Sequence, residues 1–109
     1  MAAGIFIAGY RLGSAANQDA VSFYATLLEQ DGQSILVEGI PENDVNHRGK
    51  FWVSPKENAP ASAVTDQNGA PMAMSRLPVG GLLRITYTGA VLETDPAQIR
   101  EALQISVVQ

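Results

Sequence analysis

The most regular alternation in the chain runs over residues 81–88, Gly-Leu-Leu-Arg-Ile-Thr-Tyr-Thr. Strand side chains change face with a period of two, so Leu83, Ile85 and Tyr87 share one side and Leu82, Arg84, Thr86 and Thr88 the other. Phe51-Trp52-Val53 predicts a shorter strand ended by Ser54-Pro55. The same rule puts Lys50, Trp52 and Ser54 on one of its faces and Phe51 and Val53 on the other. Upstream, residues 5–12 and 21–28 are rich in β-branched and aromatic types and flank the polar loop 14–19, which predicts two strands. Ala, Leu and Glu within 20–29 also permit a helix there, a competing reading that ranks second. Asp31-Gly32 separates the second of these runs from Ser34-Ile35-Leu36-Val37-Glu38. Asp-Gly between apolar runs predicts a type I′ hairpin, because that turn needs positive φ at both central residues.

Between these elements the pattern breaks. Residues 39–49 hold Pro41, Asn43, Asp44 and Asn46 and read as a loop. Residues 54–80 carry four prolines and the turn Asp66-Gln67-Asn68-Gly69, an irregular stretch longer than compact domains usually contain. Near the end, Asp95 as cap, Pro96 at the first helical position and Gln98 as capping-box partner predict a short helix with Ile99 and Leu103 on one face. Gln104-Ile105-Ser106-Val107-Val108 then alternates as a final strand. Five to seven short strands, mostly antiparallel, with one small C-terminal helix fit a small barrel of the OB type better than a sandwich. No repeat or linker divides the chain, so residues 1–109 are expected to form one globular domain with a long irregular loop at about 54–80.

Composition narrows the chemistry. The hydrophobic fraction of 46% with 17% charged residues is that of a folded protein. Zero Cys excludes disulfides, zinc-thiolate sites and thiol nucleophiles, and a single His excludes multi-His metal centres. The apolar run 1–10 is interrupted by Gly4 and Gly9 and lacks a positive leader, so neither a signal peptide nor a membrane span is expected. His47 lies in an Asn- and Gly-rich loop and reads as a solvated residue, with no Gly-x-Ser-x-Gly elbow to partner it. Glu42 with Asp44, and Glu93 with Asp95, suit turns and caps better than acid–base work. Gly80-Gly81 precedes a strand and lacks the Lys-Ser/Thr of a phosphate loop. The chain therefore reads as a non-enzyme, with no metal, organic cofactor or small-molecule substrate implied.

The distribution of charge says more than its total of −4. Residues 48–84 contain five cations, Arg48, Lys50, Lys56, Arg76 and Arg84, against Glu57 and Asp66, while the remainder holds two cations against nine acids. Positive charge thus gathers where Phe51 and Trp52 lie. Cations that follow phosphates and rings that stack on bases are what sequence-tolerant binding of single-stranded nucleic acid requires. The five cations are the expected phosphate contacts, and Trp52 and Tyr24 the expected stacking platforms. Tyr10 and Tyr87 are further candidates for stacking, on a par with Tyr24. Outward-facing Trp52 and Arg84 are expected to share one surface.

The second half resembles a known family. Gly49-Lys50-Phe51-Trp52, then Val64-Thr65-Asp66-Gln67-Asn68-Gly69-Ala70-Pro71, then Pro78-Val79-Gly80-Gly81-Leu82-Leu83-Arg84-Ile85, and last Leu103-Gln104-Ile105-Ser106-Val107-Val108 look like phage single-stranded DNA-binding proteins of the OB fold. Those carry a Trp-containing strand, an Asp-x-x-Gly-x-Pro turn, a Gly-led long strand and a closing apolar strand. Leu77-Pro78-Val79 stands where they have a Tyr, and their acidic tail is missing. The resemblance implies a non-catalytic protein of a phage or mobile element, working in the host cytoplasm, binding single-stranded DNA without sequence preference and often as a homodimer. The alternative is a virion structural or decoration subunit, or a protein-interaction (inhibitor) module, favoured by the acidic total, the few aromatics and the irregular 54–80 stretch.

Overall fold

The computed structural model describes residues 20–108. The strand expected over 5–12 and the loop 14–19 lie outside the described residues, as does Tyr10. Strand β1 (Val21–Asp31) alternates as a strand must: Phe23, Ala25 and Leu27 are buried while Ser22 and Tyr24 are exposed, which settles 20–29 as strand and not helix. It turns through Gly32-Gln33 into β2 (Ser34–Gly39), with Asp31 opposite Ser34. The hairpin stands where expected, but its loop begins one residue later. Gly32 alone has positive φ (64°), the φ pattern of a type II′ turn and not the expected I′.

Strand β3 (Lys50–Pro55) pairs antiparallel with β2, and β5 (Leu82–Tyr87) pairs antiparallel with β1. Strand β7 (Ala97–Val107) closes the ring, antiparallel to β5 and parallel to β3. The result is an OB-like closed barrel of five strands in the order β1-β2-β3-β7-β5, mostly antiparallel as expected, with one parallel seam between β3 and β7. Two short strands, β4 (Val64–Thr65) and β6 (Val91–Leu92), add to β7. Inside the barrel Leu27, Ile35, Val53, Leu83, Ile85 and Ile99 are almost wholly buried. Each such side chain contributes about 1.5–3 kcal/mol through burial.

The helix expected to end near Leu103 is replaced by the first part of β7. Its buried residues, Ile99, Ala102 and Ile105, recur every three positions, and a period near three imitates a helix face. The cause is a pair of bulges. Against β3 the register slips between Val53–Ile99 and Pro55–Ala102; against β5 it slips between Thr86–Gln104 and Tyr87–Ala102. Each extra residue reverses the alternation and bends the strand, as closing a small barrel demands.

Residues 54–80 are not a free arm. They hold 3₁₀ turns at Ala61–Ala63 and Met74–Arg76, and the predicted turn is present: the Asp66 carboxylate accepts from the N–H of Asn68 and Ala70, and Gly69 takes φ 84°. Leu77 is 3% exposed and, with Met72 and Met74, packs on the core. The Gln30 amide donates to the Leu77 carbonyl, and Gly80 N–H donates to Leu27 at 2.7 Å. The stretch therefore covers the end of the barrel where β1 finishes. The opposite end is covered by the β2–β3 loop. There Gly39 is tight against the loop backbone, since a Cβ on it would lie 1.6 Å from the His47 carbonyl oxygen. Among the described residues no helix is long and apolar enough to cross a membrane.

Candidate nucleic-acid interface

Alternation along β3 holds as predicted. Phe51 and Val53 are buried in the core, Lys50 is exposed, and Trp52 is half-buried on the outer side. Across the sheet Trp52 faces Leu36 of β2 on one side and Gln98 of β7 on the other. Leu36 also points outward, between core residues Ile35 and Val37, yet only 8% of it is exposed. Trp52 is thus a ring laid on the outside of the barrel. Lys56 follows the end of the strand, exposed, with its N–H donating to the Ala102 carbonyl at 2.8 Å. Arg48 lies in the loop before β3, its Nε donating to the Asn43 carbonyl at 2.8 Å.

Tyr24 and Arg84 form a second, separate patch. They are direct cross-strand partners on β1 and β5, and Tyr24 is 40% exposed. Next to them the Ser22 and Thr86 hydroxyls share a hydrogen bond of 2.7 Å. Arg84 does not share a surface with Trp52. Trp52 is level with Gln98 and Arg84 with Ser106, eight residues further along β7, or roughly 25 Å of extended chain. Arg76 is exposed in the Met74–Arg76 turn. Alternation reports the side of a strand; the order of strands around the ring decides which outward residues meet.

Among the described residues none of these cations is paired with a carboxylate within 4 Å, and the one ion pair joins His47 to Asp44. Glu38 is the cross-strand partner of Lys50, too far to form a contact ion pair.

His47 is the residue that sequence reading missed. Expected to be solvated, its side chain is only 12% exposed. Its ring packs against Phe23, centroids 4.9 Å apart, and stacks at 6.2 Å over Phe51. Nδ1 lies 2.8 Å from Asp44 Oδ1, and Nε2 lies 2.7 Å from the Tyr87 hydroxyl. A carboxylate only accepts, so the neutral ring donates from Nδ1 to Asp44 and accepts at Nε2 from the Tyr87 O–H. The hydrogen bond from His47 holds the Asp44 carboxyl below its ordinary range, while burial, and then the Asp44 charge, push the Tyr87 phenol up. A raised phenol is a donor and not an activated nucleophile. This chain of bonds fastens the β2–β3 loop to the end of β5. Asn43 adds a second fastening, its Nδ2 donating to the carbonyls of Tyr24 (2.8 Å) and His47 (2.7 Å). The only local signal for it was the three-residue spacing of Asp44 and His47.

Compared with protein-family models, curated proteins and solved structures, the chain matches none.

Proposed function

We propose that this chain is a non-catalytic, sequence-tolerant single-stranded DNA-binding protein of the phage type, engaging DNA through the outer surface of β3. One observation carries the reading: Trp52 lies on the outside of an OB-like barrel, with Lys50 before it on the same face and Lys56 just after the strand. The β2–β3 face is where OB barrels take oligonucleotides. A ring flanked by cations serves any base, because every base has a π-face and every nucleotide a phosphate. Arg48 extends the cationic line into the loop. Tyr24 and Arg84 stand on another part of the barrel and are left out of this surface.

The test uses the single Trp as its own reporter. Titrating the protein with an unlabelled dT oligonucleotide should quench Trp52 fluorescence, and rising salt should weaken binding. Trp52→Ala should lose about 1–3 kcal/mol of binding with the fold retained. An unchanged signal at low salt overturns the reading and turns attention to the virion or protein-interaction class, which elution as a large assembly would support.

A further inference from the structure

Arg100 lies outside the cationic stretch 48–84 and has no place in the sequence-based site. In the fold it is exposed on β7, two residues beyond Gln98, the register partner of Trp52. Its Nε and Nη2 both donate to Gln98 Oε1, at 3.3 and 3.2 Å. The same amide is fixed from its other end, where Gln98 Nε2 donates to Thr94 Oγ1 at 3.3 Å. The guanidinium is therefore held back along β7 toward Trp52. Of its five N–H donors two are used, and the other three have no partner among the described residues. A groove of about 480 Å³ connects Arg100 with Ser54, Lys56 and Glu57 across the parallel seam. Glu101 also borders this groove, but its carboxylate sits against Gly89.

We infer that the single strand follows the β3–β7 seam, with Lys50 and Lys56 on one bank and Arg100 as a phosphate contact on the other. Gln98 is the positioning residue that aims Arg100. The inference rests on the single-stranded DNA reading and deepens it by giving the strand a path. From Lys50 at the start of β3 to Lys56 just beyond its end is about 20 Å at 3.3 Å per residue, with Trp52 between the two. A planar guanidinium with free donors matches phosphate oxygens in pairs, which an ammonium cannot do. Lys50 has Glu93 and Asp95 near it at one end of the seam, and Lys56 and Arg100 share the groove with Glu57 and Glu101. Attraction to a phosphate is therefore local to these three cations and not a property of the chain, whose total is −4.

The experiment is the dT titration of the full chain repeated over a salt series, with far-UV circular dichroism on every variant. Each phosphate contact on a single strand contributes a slope of about 0.7 in log K against log salt. Arg100→Gln should lower the slope by about that amount and weaken binding by about threefold or more at low salt. Arg100→Lys should keep the slope, because the charge stays. Gln98→Leu should weaken binding while the spectrum stays native, and Arg84→Gln should change neither affinity nor slope. If the parent protein binds and Arg100→Gln leaves its slope intact, the path is overturned and DNA binding stands. An equal loss in Arg84→Gln also overturns the path. If the parent protein does not bind at all, both readings fall together.

Discussion

The two ends of the barrel are covered in different ways. At one end residues 54–80 lay an apolar plug, Leu77 with Met72 and Met74, onto the core. At the other the β2–β3 loop inserts His47, a polar ring that reaches its place through hydrogen bonds to Asp44 and Tyr87 and contacts with Phe23 and Phe51. The apolar cover stabilises through area removed from water, a term that tolerates small changes of shape and is indifferent to pH. The polar cover depends on matched partners, so its net contribution is smaller and the cost of removing one partner is disproportionate. It also fixes geometry. The loop it fastens carries Arg48 and leads directly into Lys50 and Trp52, whereas the stretch that carries the apolar plug starts after Trp52 and contributes Lys56.

Leu77→Ala should have the largest effect, about 2–5 kcal/mol, read from the urea midpoint at unchanged slope. A loss below about 1 kcal/mol would mean that the end collapses around the gap and that Leu77 is no plug. Next comes Gly39→Ala. Its Cβ would lie 1.6 Å from the His47 carbonyl oxygen, a backbone atom that cannot rotate away, so the loop must shift, at about 1–3 kcal/mol. Faster amide exchange confined to the β2–β3 loop would locate that damage at the polar end. Tyr87→Phe removes only the hydroxyl facing His47 Nε2 and should cost about 1 kcal/mol. A neutral result would show that packing of the ring, and not the bond, holds the loop.

The smallest effect is electrostatic. The Asp44 pKa is depressed in the folded state, so its contribution is present above the unfolded value, about 4, and is lost as pH falls through the lower folded value. Asp44→Asn should therefore lower stability slightly at neutral pH, where the contribution is present, and flatten the fall below about pH 4, where parent and variant converge. An acid limb as steep as the parent's would assign it to other carboxylates.

How far the sequence could be read followed the range of each determinant. The alternation of β5, the two faces of β3, the hairpin near Gly32 and the Asp66 turn depend on neighbours within a few residues, and all are present. The C-terminal helix, read from Asp95, Pro96, Gln98 and the Ile99–Leu103 spacing, failed because the chain there is the bulged β7. Leu103 is exposed, the core side is Ile99, Ala102 and Ile105, and that spacing is set by the distant partners β3 and β5. His47 failed for a similar reason: its hydroxyl partner Tyr87 is 40 residues away. The expected joint surface of Trp52 and Arg84 failed because it needed the ring order. Of the candidate interface, Lys50 and Trp52 were legible on one face; Arg100 was not, since only the parallel β3–β7 seam brings it near them.

That seam also bears on how the chain reaches its fold. Strand β7 contacts β3, β4, β5 and β6, and its register with β3 joins positions more than 40 residues apart. Contacts so distant form slowly, typically in milliseconds to seconds for β-barrels. Until they form, β3 and β5 each present an unpaired edge to other chains. The arrival of one strand therefore sets the interval during which the protein is exposed to self-association, and bulges that weaken its pairing lengthen that interval.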